Sequence, residues 1–389
     1  MSAVAELRRR WSTFWFGELD ARPVALLRIG VGTIVTWMLL ERLSVARTVL
    51  SDDGWFPHEA AVHLMDPWHW SLLHPFGAPW QVTTVLVLGG LGALAFTLGL
   101  YTRLGGAVAF VALASVHTRN PAVLYGADSV ARVWLAYLLL MPCGRAWSVD
   151  AIRHRLRDHD AAFGSPAPTL PAWPVRLFQI QVATVYLTTG ISKAYGTDYH
   201  DGTALWHALS NPVYSRWLDV AEPLYAAGGS VLAALTVMTL WWELAFAFMV
   251  PFRRLRPIAL GLGVFVHGGI FVLMDIEWWG PLMLLSYLAF VDPRRLHGLW
   301  LRQVRETRER WWDRRMTLTF DPADTTARGF ADRVAALDVY GLVQLRPDPT
   351  QEGRRLVRRH DGYEVPVAEH AGSIGAVLPR WARPWLRGS

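Results

Sequence analysis

The chain has 389 residues, 52% of them hydrophobic and 21 of them tryptophan, with only 18% charged. That balance excludes a disordered chain and an ordinary soluble domain, because several apolar runs approach the roughly 20 residues a bilayer core demands. The single cysteine, Cys143, excludes an internal disulfide and any cysteine-based metal or dithiol centre; no metal site is predicted.

Residues 1–23 read as an amphipathic N-terminal segment, with Trp11, Phe14, Trp15 and Phe16 beside Arg8, Arg9 and Arg10, the composition of a helix lying on a membrane leaflet. A transmembrane domain over 24–295 follows. Its apolar runs are 24–40, 81–100, 104–116, 130–142, 175–190, 224–250, 257–274 and 278–291, which predicts an all-α polytopic fold of about eight spans. More than 20 residues precede the first run and no small-residue cleavage site follows it, so it is expected to stay as an anchor. Beyond it, 296–315 reads as an arginine-rich helical linker. Residues 316–389 read as a small cytoplasmic α/β segment, with a strand at 316–320, a helix near 327–337 and a second strand at 342–345.

Charge placement accounts for the formal net charge of +6 without nucleic acid. Short cytoplasmic loops collect basic residues. With eight spans and both termini cytoplasmic, Arg8, Arg9, Arg10, Arg22, Arg103, Arg145, Arg153, Arg155, Arg157, Arg253, Arg254 and Arg256 share one side. The opposite side carries Asp52, Asp53, Glu59, Asp66, Asp198, Asp201, Asp219, Glu222, Asp275 and Glu277 against Arg42, Arg47 and Arg216.

Four strings carry candidate chemistry. Arg28, one turn inside the first span, either snorkels to the nearby interface or faces a partner or cavity. Between two spans, His117-Thr118-Arg119-Asn120-Pro121, then Tyr125, Asp128 and Arg132, forms a dense polar set that reads equally as a ligand cavity or a turn-rich loop. The third string, Tyr186 to Ala194, contains Lys193, with Asp198, His200, Asp201 and Trp206 behind it. Lys193 is the only lysine among 38 basic residues. A guanidinium stays protonated, whereas a desolvated ammonium can lose its proton and act as a base. The alternatives are a lysine held charged by Asp198 or Asp201, or one that merely snorkels. Last come His267 in the seventh span and Glu243 in the sixth, the latter an intramembrane carboxylate with no partner evident in the sequence.

Taken together and in this order, these strings resemble the HTTM family, bacterial integral membrane relatives of the vitamin K-dependent gamma-glutamyl carboxylase. The likeness covers roughly 10–295 and rests on Arg28 to Gly32, Asn120 with Leu124-Tyr125-Gly126, Trp147 to Asp150, Gly190 to Lys193, Arg256-Pro257-Ile258 and His267. It implies Lys193 as the base that deprotonates a reduced quinone of menaquinol or vitamin K type, with Asn120 and His267 as further catalytic candidates. Arg28, Tyr125, Asp128, Arg132 and Trp206 become substrate-binding candidates. Pro121 departs from the carboxylase, which has histidine there, and no large lumenal domain is present. The implied function is modification of a secreted peptide or lipophilic substrate at the bacterial inner membrane. The alternative is a non-catalytic scaffold or partner for a thiol-disulfide oxidoreductase or peptide-toxin maturation system. The tail adds to that alternative, since Phe320 to Ala327 resembles the opening of DCC-type thioredoxin-like oxidoreductases with both cysteines missing.

Overall fold

The computed structural model describes residues 3–64, 70–157, 168–292, 314–338, 342–359, 364–378 and 382–386, with positions 302, 306, 309, 310 and 362. In chain order its elements begin with α1 (Ala3–Phe16), β1 (Glu18–Asp20), α2 (Arg22–Glu41), α3 (His58–Leu64), α4 (Pro79–Leu98), α5 (Thr102–Arg119) and α6 (Gly126–Leu140). Then come α7 (Val149–Arg157), β2 (Thr169–Pro171), α8 (Ala172–Ala194), α9 (Ala204–Ser210), α10 (Leu218–Met249), α11 (Arg256–Leu273) and α12 (Trp279–Ser286). The tail holds β3 (Met316–Phe320), α13 (Thr325–Leu337), β4 (Val343–Pro347), β5 (Arg354–Arg358), β6 (Glu364–Val365), α14 (His370–Val377) and α15 (Arg383–Leu386). Two compact units result, Met1–Ala146 with Thr169–Val291, and Trp147–Pro168 with Asp292–Ser389.

In the first unit every expected apolar run is a helix. Among the described residues, four helical stretches, Arg22–Leu50, Pro79–Leu98, Gly228–Met249 and Arg256–Leu273, are long and apolar enough to cross a membrane. The other runs fall short for visible reasons. α5 ends in His117-Thr118-Arg119, α6 has 15 residues, α8 carries Arg176, two glutamines and Lys193, and α12 with its 3₁₀ extension stops at Phe290. Proline in the first turn starts α2, α4 and α11, where its missing N–H costs nothing. Gly99, at φ 69°, ends α4 in the left-handed conformation that glycine adopts without strain. The resulting α4–α5 hairpin is tight, and a Cβ on Gly105 would lie 2.8 Å from the Gly92 carbonyl oxygen. Such close approach of small residues is how helices pack in lipid.

The N-terminal segment is helical only to Phe16. Glu18–Asp20 then pairs antiparallel with Thr169–Pro171, and Arg176 of α8 lies 4.4 Å from the Phe14 ring centroid. Deeper in the unit, Trp134 is fully buried, donates from Nε1 to the Leu282 carbonyl at 3.2 Å and meets the Phe178 ring edge-on at 4.8 Å.

The second unit is a four-stranded sheet of order β4-β3-β5-β6. β3 runs parallel to β4 and antiparallel to β5, and β5 pairs antiparallel with β6. α13 begins at Thr325, ahead of the expected 327, because Asp324 caps it, accepting from the Thr326 and Ala327 amides at 2.8 and 3.3 Å. Alternation along β3 places Met316, Leu318 and Phe320 in a core with Phe330, Val334 and Leu356. Ile152 of α7 belongs to the same core, so α7 groups with the tail by contacts. The expected linker 296–315 falls mostly outside the described residues. Leu318 is fully buried, and Leu318→Ala is expected to cost the tail about 2–5 kcal/mol. Faster proteolytic removal of the tail from the full-length protein would register it.

Candidate functional site

Lys193 occupies the last turn of α8, and its Nζ lies 2.5 Å from Glu243 Oε1 of α10. The expected partners Asp198 and Asp201 do not take it; Asp198 instead meets His207 Nδ1 at 3.3 Å. The carboxylate is the more enclosed member, with Glu243 5% exposed, while the Lys193 side chain keeps 27% of its surface. Close contact holds the two helices in register, since a Cβ on Gly190 would lie 3.0 Å from the Leu244 amide nitrogen. Lys193 Nζ also lies 5.6 Å from the Tyr199 ring centroid, within cation–π range.

A hydrogen-bonded aromatic group adjoins this pair. The Tyr186 hydroxyl lies 2.7 Å from His267 Nε2 and 2.6 Å from the Tyr287 hydroxyl, joining α8, α11 and the turn after α12. Trp242, next to Glu243, and Phe246 place ring centroids 4.9 and 4.1 Å from that of Tyr186. Gly263 leaves room for the Tyr287 hydroxyl, which any Cβ there would strike. Two buried polar atoms in this neighbourhood, Glu243 Oε2 and His267 Nδ1, have no hydrogen-bond partner among the described residues. Such atoms are costly in an apolar interior unless a ligand or water meets them.

The polar set between α5 and α6 forms a second, separate group. Asp128 is fully buried and receives the Arg42 guanidinium and, at 3.1 Å, the Tyr125 amide; His117 Nε2 stands 3.4 Å away. Arg132 follows one turn later on α6, half-buried. The Tyr125 hydroxyl donates to Glu277 at 2.8 Å, and burial beside that carboxylate raises its pKa above the ordinary phenol value. Asn120 is committed to the backbone, donating to the Val49 carbonyl at 2.9 Å and accepting from the Ala122 amide at 3.1 Å. It therefore caps the turn that Pro121 starts, and no bond joins it to Lys193. Arg119 beside it donates to the Phe56 carbonyl and to Asp52, both at 2.9 Å.

The family model of the HTTM domain matches residues 16–294, most of the chain. The chain belongs to the HTTM family. That family is related to the vitamin K-dependent carboxylase family. No curated protein and no solved structure matches.

Within the HTTM domain the remaining predicted residues are placed as follows. Arg28 is fully buried and donates to the carbonyls of Cys143, Ala146 and Thr97 at 2.8, 3.3 and 3.4 Å, which makes it a tie between α2 and the ends of α4 and α6. Cys143 is buried beside it, which pushes the thiol up to about 11 and leaves it protonated at neutral pH. Trp206 packs against the apolar group of Leu209, Leu232 and Met274. Among the described residues no set of three His, Cys, Asp or Glu side chains is placed to hold a metal ion. Lys193 and His267 are thus brought to one neighbourhood, whereas Asn120, Tyr125, Asp128 and Arg132 form another. Sequence reasoning left Glu243 unpartnered and passed over Trp242 and Tyr287. The available signal was Glu243 itself, a carboxylate within an apolar run.

Proposed function

We propose that this HTTM protein is a multi-pass enzyme of the bacterial inner membrane in which Lys193 is the general base, acting on a membrane quinol in the service of modifying a secreted peptide or lipophilic substrate. One observation carries the reading: the chain's only lysine meets a buried carboxylate beside aromatic side chains and two unpartnered polar atoms. Glu243 Oε1 stands within reach of the ammonium proton, and passing that proton across leaves both groups neutral. The amine so formed has a lone pair free to take a proton, which a guanidinium does not offer. His267 Nδ1 and Glu243 Oε2 could make polar contacts to a hydroxyl, in a setting walled by the buried rings of Tyr186, Trp242, Phe246 and Tyr287. This donor chemistry suits a reduced quinone, which when bound would supply the acidic hydroxyl and the reducing equivalents. Eight spans with both termini in the cytoplasm agree with the arginine-rich turns at Arg103, Arg145 and Arg253 to Arg256.

A second reading, a non-catalytic scaffold or partner of a thiol-disulfide oxidoreductase or peptide-toxin maturation system, draws on the tail. Its β-α-β unit followed by an antiparallel hairpin supports a thioredoxin-like ancestry, and the chain has no cysteine there. Lys193→Arg separates the two readings. An arginine keeps the pairing with Glu243 and membrane accumulation but, under the first reading, lowers quinol-dependent turnover in proteoliposomes by roughly 10²–10⁴-fold. Unchanged turnover, or an unaltered cellular phenotype, would leave the scaffold reading standing.

A further inference from the structure

The course of the chain after Lys193 reveals an arrangement that the base assignment does not use. α8 runs antiparallel to α10 and ends against Glu243 and Leu244, and the chain continues along α10 toward that helix's N-terminal end. Gly202, at φ +77°, packs so closely on Ala233 that a Cβ would lie 2.6 Å from its Cβ. The Leu205 amide donates to Thr236 Oγ1 at 3.2 Å. At 1.5 Å per residue, Glu243, Thr236 and Ala233 lie about 9, 20 and 24 Å from Met249, the end that leads into the turn with Arg253, Arg254 and Arg256. All three distances fall within a hydrocarbon layer roughly 30 Å thick. The single turn Thr197–His200 and the start of α9 therefore run at membrane depth beside the candidate span Gly228–Met249.

What this segment exposes is unlike the neighbouring helices. α10 and α11 present Val231, Trp241, Phe248, Val264 and Phe265 outward, as lipid contact requires. Between Lys193 and α9 the exposed side chains are Tyr195, Thr197, Asp198, His200 and Asp201, with His207 on α9 itself. Irregular, polar backbone at this depth persists only where it is covered by protein or borders water. Charged and titratable side chains there follow the same rule.

We propose that residues 194–207 line a water-filled vestibule, open on the membrane face away from Arg253, Arg254 and Arg256, through which a polar, water-borne reactant reaches the exposed part of Lys193. A lipid-soluble reactant and a hydrophilic one then approach the same ammonium by different routes. The route stands or falls independently of whether Lys193 is a base.

Cysteine accessibility tests it. The only native thiol, Cys143, is buried, so Cys143→Ala gives a clean full-length background. Thr197→Cys, Asp198→Cys and His207→Cys are placed singly in it, with Val231→Cys on the apolar face of α10 as control. Intact spheroplasts are treated with the membrane-impermeant cation trimethylammonium-ethyl methanethiosulfonate. Because the reacting species is the hydrated thiolate, the three vestibule positions are expected to react roughly tenfold faster than Val231→Cys or more. Thr197→Cys disturbs no side-chain pairing and guards against loss of the Asp198–His207 contact. Absence of reaction from either membrane face overturns the proposal, as would reaction only in inverted vesicles. Equal reactivity of Val231→Cys also overturns it, by placing that half of α10 outside the bilayer.

Discussion

Glu243→Ala is expected to destabilise the membrane unit by about 3–5 kcal/mol, because it strands an ammonium in an apolar setting. The residual exposure of Lys193, 27% of its side chain, puts the loss toward the lower end of that range. Unfolding of the purified protein in micelles by heat or sodium dodecyl sulfate measures it. The double variant Lys193→Met with Glu243→Leu removes both charges and should recover most of the loss, since apolar replacement of a buried pair is often neutral or better. If the double variant is no more stable than Glu243→Ala, the two side chains are not energetically coupled. Glu243→Gln separates stability from chemistry. It keeps the shape and a hydrogen-bonding oxygen but has no carboxylate to receive the lysine's proton, so stability should fall by less than in Glu243→Ala while turnover falls as far.

The pair also shows where sequence reading stops. Apolar runs are local signals, so the helices of the membrane unit were legible to within a few positions. The tail was legible for the same reason in Met316–Phe320, whose alternation is a local signal, while the helix start was placed two residues late because the Asp324 cap was not read. Lys193 stood out by its rarity and Glu243 by its setting, but nothing local says that they meet. They are 50 positions apart, and Arg28 and Cys143 are 115 apart. Asp198 and Asp201 were nearer in sequence and gave the more natural pairing. Asn120 shows the converse. Its Asn-Pro context read equally as a turn or as part of a ligand cavity, and its side chain serves as the cap of a turn.

Arg28→Met is expected to cost about 3–5 kcal/mol, an effect comparable with the loss of Glu243. The guanidinium is the shared donor for carbonyls of Thr97, Cys143 and Ala146, and charge-assisted bonds of this kind contribute roughly 1.5–3 kcal/mol each without adding fully. The Thr97 carbonyl stands in the last turn of α4, where the helix dipole favours a cation, and those of Cys143 and Ala146 lie in the turn that follows α6. Methionine fills the volume but supplies neither the donors nor the charge. Arg28→Lys should fall between, because an ammonium restores the charge without the planar fork that reaches three oxygens from different segments. The order of stability, wild type above lysine above methionine, identifies a tie between helices. A lysine variant of undiminished stability whose KM for the quinol rises would instead return Arg28 to the substrate, because only a ligand contact would feel the change of donor geometry while the fold did not.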